Sequence, residues 1–468
     1  MAFRHGVYKS EVPTSLIAPA QGEAGLPVIV GTAPIWLGDK NNVNVPHLCY
    51  TYAEAVEAFG YSDDWENYTL CEFIYSQFAL FAQSPCVLVN VLDPAVHSEK
   101  LTDQEYASTD GKVNLGKGII SAKTSAGQAE INYDDEGNAI VPITGTSVTF
   151  TEIVKAKPSL VTSANIIGGV QASTGKYTGL ELVNQVFPKF GLVPGLIGCP
   201  KWSQQAGVAA IMRAKGDNIN GLFTCCSVID IPSDSSNGAP TYTAVPEWKN
   251  RNNYVAERQI VCWPKVKLDD KVFHLSTQLI GVMNKTDSAH DDTPYKSPSN
   301  EMLQMNACVN EAGDEIDLDF SQANYLNSQG ICTALNWIGG WRAWGNSTGC
   351  YPTVTDVKDR YIPVRRMFDY LGNQWILTMW QKVDQPMTPR LIKTIVNSFN
   401  MYLNSLVARE ILLAGRVEFL QSENYKTDLL NGILRFHIYI TPPIPAEVIE
   451  GIFEFDVDGL DVLYSALA

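Results

Sequence analysis

Pro27-Val-Ile-Val-Gly-Thr-Ala-Pro34 is the stretch that sets the fold. Val28 to Thr32 is short, apolar and rich in β-branched residues, the pattern of a strand covered on both faces. The residues after it decide between an all-β chain and an α/β one. Thr51-Tyr-Ala-Glu54 is a capping box, Thr and Glu three residues apart, opening a helix that Gly60 stops. A second helix near Tyr68 to Gln83 carries Leu70, Phe73, Ile74, Phe78 and Phe81 on one face and feeds another buried strand, Cys86 to Leu92. Strands alternating with helices give α/β architecture.

Outward from this unit the pattern changes. Between Val96 and Lys157 helical periodicity vanishes, and Ala129 to Tyr133 and Ala139 to Ile143 are joined by Asp134-Asp-Glu-Gly-Asn138 as a hairpin. This reads as a small β-rich domain inserted into the α/β one. From Lys157 the alternation resumes: a helix near Gly179 to Phe190, a strand from Pro194 to Cys199, a helix with Ser203 as N-cap, then a strand from Leu222 to Ile231. Pro232 to Pro240, rich in Ser, Gly and Pro, is a surface loop.

The last third has the sharpest local signals. Thr388 as N-cap with Pro389 at the first helical position starts a long helix, which Gly415 is expected to end. Its apolar face is Ile392, Ile395, Val396, Phe399, Tyr402, Leu403 and Leu406. In the expected strand from Ile433 to Ile440, Leu434, Phe436, Ile438 and Ile440 face one way, and Arg435, His437 and Tyr439 the other. Pro442, Pro443 and Pro445 then make an extended linker that neither pairs nor coils. Beyond it Ile452-Phe-Glu-Phe-Asp-Val457 alternates again, with Phe453, Phe455 and Val457 on a single face. On the residues alone, an edge strand of its own domain and a strand given to a neighbour fit equally.

The whole chain of 468 residues predicts two to four domains. A net charge of −16 with no clustered Lys or Arg excludes nucleic acid as a partner. Met1 to Ser10 lacks a signal-peptide core, and the longest apolar stretches are broken by Pro, Gly or Asp, so neither secretion by that route nor membrane insertion is expected. Ten Cys without CxxC spacing read as buried free thiols in a chain folded in a reducing cytosol.

The usual chemical signatures are missing: there is no GxxxxGK[ST], GxGxxG after a strand, HExxH, GxSxG or calcium loop. Six His stand singly. Asp287, His290, Asp291 and Asp292 read as a solvated acidic loop, and the run from Glu311 to Asp319 as an exposed strand face. No catalytic, cofactor-binding or metal residue is expected. A triad recognised only by geometry keeps an α/β hydrolase as the alternative.

Taken together, several segments resemble the contractile tail sheath proteins of bacteriophages, phage-like injection systems and bacteriocins. They are His5-Gly6-Val7 with Glu11; Val28 to Pro34; Tyr295-Lys-Ser-Pro-Ser-Asn300; Leu326-Asn-Ser-Gln-Gly-Ile331; Gly340-Trp-Arg-Ala-Trp-Gly-Asn346 with Thr348; and Arg360 to Asp369. Leu413 to Phe419, Asn431-Gly432, Thr441-Pro-Pro443 and Pro445-Ala-Glu447 match the family's C-terminal pattern. Order and coverage, more than any one motif, make the resemblance specific. Cys350 and Tyr351 depart from it.

The resemblance implies an α+β multidomain chain: an N-terminal arm (1–20), a subtilisin-like α/β core without catalytic residues (21–95 and 158–350), a peripheral β insert (96–157), a C-terminal α/β domain (351–450) and a C-terminal arm (451–468). It implies a structural subunit that polymerises with other copies into a helical sleeve around an inner tail tube. Baseplate and tail terminator proteins are its further implied partners, in a virion tail or phage-like particle assembled in the bacterial cytoplasm. The arms are implied to exchange strands between subunits through Phe3, His5, Val7, Ile452, Phe453, Phe455 and Val457, with Leu434, Phe436 and Ile438 on the host strand. Arg390, Lys393 and Arg409 are candidate tube-facing charges, although a solvated helix face fits them as well. The remaining Lys and Arg are expected to concentrate on intersubunit and tube-facing surfaces.

Overall fold

A computed structural model describes residues 24–172 and 174–465. Its centre is a six-stranded sheet of β1 (Pro27–Gly31), β2 (His47–Cys49), β3 (Cys86–Asn90), β4 (Leu196–Gly198), β5 (Cys226–Asp230) and β6 (Gln259–Cys262), in the order β6-β5-β4-β1-β3-β2. All pairs are parallel except β2 with β3. Every residue of β1, β3 and β5 is buried, as the continuous apolar runs require of parallel strands covered on both faces. Gly31 closes β1 because a Cβ there would collide with the Thr69 hydroxyl.

Helices α1 (Tyr52–Phe59) and α2 (Thr69–Ile74) connect β2 to β3. Thr51 caps α1 as read, accepting from the Glu54 amide at 3.2 Å, but the box is not closed: the Glu54 carboxylate accepts from the Tyr50 amide at 2.8 Å and not from Thr51. Past α2 the helix widens into a π-helical segment, Tyr75–Leu80. Helix α3 (Ala206–Asp217) and helix α4 (Leu275–Ser288), the latter buried along nearly its whole length, pack on the sheet.

The segment after β3 builds two small sheets with their own apolar core, including Val113, Ile119, Val141, Phe150 and Ile153. The Asp134–Asn138 hairpin is present, pairing Asn132 with Ile140 and Tyr133 with Ala139. Its flanks meet: Ser98 pairs with Ala156, and the Lys157 amide donates to His97 O at 2.9 Å.

A third core lies between helices α6 (Ile362–Met379) and α7 (Pro389–Ala408), on one side of an antiparallel pair, β9 (Ala414–Glu418) with β10 (His437–Thr441). Before them, α5 (Phe320–Asn327) leads into the hairpin β7 (Thr333–Trp337) and β8 (Gly340–Trp344). Thr388 caps α7 as expected, accepting from the Leu391 amide at 3.2 Å.

Several expectations are corrected. Ser203 caps no helix: it lies in a 3-10 turn, Trp202–Gln204, and α3 starts after Gln205, because the Ser203 hydroxyl is engaged with Asp230 3.2 Å away. Helix α7 ends at Ala408, not Gly415; Glu410 adopts a positive φ of 61° and Gly415 lies within β9. The strand expected to begin at Leu222 begins at Cys226, since Ile219 and Phe223 close a turn on each other. The strand expected from Ile433 begins at His437. The run from Glu311 to Asp319 is irregular and not a strand: Ile316 and Leu318 pack on the core, and Asp319 caps α5.

Candidate assembly surfaces

Open α/β sheets bind ligands outside the carboxyl ends of their strands, where the strand order reverses. Here that place, beyond β1 and β4, is filled by protein. Asn90 Oδ1 accepts from the Ala33 amide at 2.9 Å, and Thr69 Oγ1 accepts from the Thr32 amide at 3.2 Å. Nearby, Asp230 accepts from the Ser203 hydroxyl and from the Ser276 amide at 2.9 Å, while Glu72 Oε2 lies 2.8 Å from His274 Nδ1. Thr69, Glu72, Asn90, Asp230 and His274 are each at most 5% exposed.

Burial pushes the Asp230 carboxyl above its usual range. Burial alone would lower the His274 imidazolium, but the adjacent Glu72 carboxylate outweighs it and the net shift is upward. Neither serine bonds to His274; both hydroxyls donate to Asp230. The cluster ties α2, β5 and α4 together. Asp287, His290 and Asp291 likewise turn to separate partners: Arg366, the Thr286 carbonyl and Arg409. Among the described residues, no group of three or more His, Cys, Asp or Glu is placed to hold a metal ion, and no helix is long and apolar enough to cross a membrane.

Exposed apolar groups and an open sheet edge come together in the C-terminal part. β9 and β10 make a two-stranded sheet with α7 packed against β9, so among the described residues β10 has one strand partner and one free edge. Phe436, Ile438 and Ile440 pack toward the third core, as their alternation predicts; Leu434 precedes the strand and is half-buried. Asn400 of α7 bonds β9 through both backbone groups of Val417, at 2.8 and 3.1 Å. A two-stranded sheet is marginal without a third strand or a covering layer.

Beyond β10 the chain runs without secondary structure to Asp456, and pairs with no strand. Ile452 is 91% exposed, Phe453 98%, Phe455 76% and Val457 66%. The segment from Ile452 to Val457 is thus neither an edge strand of its own domain nor a strand at all in the single chain. Four large apolar side chains so close together in water mark a surface made to be covered. Phe3, His5 and Val7 lie outside the described residues.

The linker between these parts, 443–448, forms one wall of a groove of about 820 Å³. The other walls come from 295–301, 324–328, 344–347, Tyr351 and Arg360. Segments far apart in sequence, each singled out by its motif, therefore converge on one place. Inside it the Gly345 amide donates to Ser299 Oγ at 3.0 Å, and Trp344 Nε1 to Asn324 Oδ1 at 2.9 Å.

No protein-family model matches the chain. The tail sheath protein of Burkholderia phage BcepMu is 26% identical to it over 95% of each chain. The chain is thus similar to a contractile tail sheath protein along nearly its whole length. The major tail sheath protein of Serratia phage KSP20 is 27% identical over 60% of this chain and 68% of its own length. Among solved structures, the sheath of an extracellular contractile injection system in the contracted state superposes with a TM-score of 0.59 at 14% identity, covering 98% of this chain and 99% of the other. The contracted helical sheath of the anti-feeding prophage gives 0.59 at 15% identity, over 97% and 100%. These likenesses show a shared fold, a mixed α/β multidomain one.

The tube-facing candidates are not brought together. Arg390 and Lys393 are exposed near the start of α7, three residues apart and so on one face. Arg409 is at the far end of the helix, about 28 Å away at 1.5 Å per residue, and donates to Asp291 at 3.1 Å. Nor do all basic residues gather on outer surfaces: Lys249, Arg365 and Arg366 are buried. Lys249 donates to the Gln329 and Tyr351 carbonyls, Arg366 pairs with Asp287 79 positions away, and Arg365 pairs with Asp359 and with Asp369 four residues on, the one local spacing among them.

Proposed function

We propose that this chain is the repeating subunit of a contractile tail sheath, which polymerises by strand exchange into a helical sleeve around an inner tube and shortens to drive that tube through a target envelope. One observation carries the strand-exchange reading: an unpaired, apolar, alternating segment lies eleven residues past a two-stranded sheet that has a free edge. Backbone hydrogen bonds at a sheet edge supply affinity, and alternate side chains supply register. Ile452, Phe453, Phe455 and Val457 are the donated segment, and the free edge of β10, which carries Ile438 and follows Leu434 and Phe436, is the host. Donation from one copy to the next is heterologous and need not close, so it generates a helix.

In this reading Phe3, His5 and Val7 belong to a second, N-terminal arm. Arg390 and Lys393 face the tube, Arg409 stands apart from them, and the small β sheets at 98–156 lie on the periphery. Baseplate and terminator proteins contact the two ends of the polymer, which assembles in the bacterial cytoplasm. The subunit has no enzymatic role, a reading supported by the engagement of Ser203 and Ser276 with Asp230 in place of a base.

Electron microscopy of the purified chain tests this. The intact protein is expected to form hollow striated cylinders, and a form truncated before Ile452 to stay folded, soluble and unassembled. Ordered tubes from the truncated form would sink strand exchange; absence of cylinders from the intact form at any concentration would sink the sheath reading.

A further inference from the structure

Glu447 sits where the linker leaves the groove. Its Oε2 accepts from Arg360 Nη2 at 2.7 Å and from the Tyr361 hydroxyl at 3.3 Å. The Arg360 guanidinium packs against the rings of Tyr351 and Tyr361, 4.2 and 4.6 Å from their centroids, so the cation is held before Glu447 reaches it. Among the described residues, these are the only hydrogen bonds that tether 442–455 to the rest of the chain. Both halves of the pair belong to motifs noted in the sequence, Pro445-Ala-Glu447 and the segment beginning at Arg360, yet nothing in the assembly reading uses them.

The topology gives the pair a task. With Glu447 free, the residues between Thr441 and Ile452 are about twice what a hairpin loop needs, since such loops take roughly two to five residues. The arm could then turn back and complete the open edge of β10 in its own subunit. That intramolecular pairing has a high effective concentration and competes with pairing to a second copy. With Glu447 held at Arg360, the linker is instead laid across the groove of the core and pairs with no strand.

We propose that the Arg360–Glu447 clasp, seated on Tyr351 and Tyr361, positions the C-terminal arm for a neighbouring copy by keeping it from closing on its own sheet. This rests on the strand-exchange reading and adds the residues that keep the donor strand open. The occupant of the groove is the chain's own linker, and the partner served is a second copy of this chain.

Three variants test it: Glu447→Gln, Arg360→Gln and the double variant, each first confirmed folded by its thermal transition. Tube growth is followed by light scattering and electron microscopy, and backbone hydrogen exchange of 437–441 and 452–457 is measured in dilute, unassembled protein. Glu447→Gln is expected to slow tube growth on the order of tenfold, the scale of one hydrogen bond to a charged group, and to increase exchange protection of both segments in the monomer. Arg360→Gln should match it, and the double variant should be no slower than the slower single one, because both remove the same contact. Unchanged growth and unchanged protection in Glu447→Gln would overturn the clasp. So would slowed growth without monomer protection, which would make the contact merely structural. If the wild-type chain forms no tubes, the sheath reading fails instead, and the exchange data alone then decide whether the clasp holds the arm open.

Discussion

Arg258, just before β6, grips Asp369 of α6: Nε and Nη2 both donate to Asp369 Oδ1, at 3.0 and 2.9 Å. Arg365 Nη2 donates to the same oxygen at 3.0 Å, and the Thr224 hydroxyl does so at 2.9 Å. A few residues along, Arg366 pairs with Asp287 of α4. The C-terminal helices are therefore joined to the sheet core by buried charge and not by apolar area alone.

Without Asp369, Arg258 keeps Asp217 and Arg365 keeps Asp359, so the loss is that of hydrogen bonds to charged groups, about 1.5–3 kcal/mol. Asp369→Ala should lower stability by that amount, read as a fall in the denaturant midpoint. A change below about 1 kcal/mol would mean that water reaches Arg258.

The Glu72–His274 pair gives a pH signature. Because the folded state raises the His274 pKa above 6.5, its contribution is complete below that value and is lost as pH rises through the higher folded value. Asp230 and Lys265 also face the ring, and both remain in a His274→Gln variant. The stability gap between wild type and His274→Gln should thus be widest below about pH 6.5 and narrow above it, at about 1.4 kcal/mol per unit of pKa shift. Urea unfolding across that range checks it, and a gap that widens with pH would refute the pairing.

Thr388→Ala removes the side-chain acceptor for the Leu391 amide and should cost about 1 kcal/mol. Differential scanning calorimetry measures the loss, and Thr388→Ser should recover most of it.

Excising 98–156 and bridging His97 to Lys157 with a short Gly-Ser turn should leave the core folded, since those flanks are already hydrogen-bonded together. Ala156 is a member of the main core, and Ile120 and Tyr133 pack against it. Their loss limits the expected destabilisation to about 3 kcal/mol. Loss of the cooperative thermal transition would show that the insert is part of the core.

The elements that local chemistry decides were legible in advance. The Thr51 cap of α1, Thr388 with Pro389, and the Asp134–Asn138 turn each depend on residues within four positions, and each is present. Ser203 misleads because a hydroxyl that looks like a cap is claimed by Asp230, 27 positions away. Gly415 misleads because α7 is stopped earlier by Glu410, an ordinary residue in a left-handed conformation that no spacing announces. The groove shows the same limit at a larger scale: its motifs are visible singly, but only the folded chain brings 295–301, 324–328, 344–347 and 443–448 around one space.

All ten cysteines are at most 2% exposed and unpaired. Desolvation pushes their thiols up, Cys49, Cys71, Cys226 and Cys332 to about 12. The thiolate is the nucleophile that reacts with oxidants and attacks disulfides. A chain so arranged can pass from a reducing interior to an oxidising exterior with its covalent structure unaltered, and can wait there without ageing through sulfur chemistry.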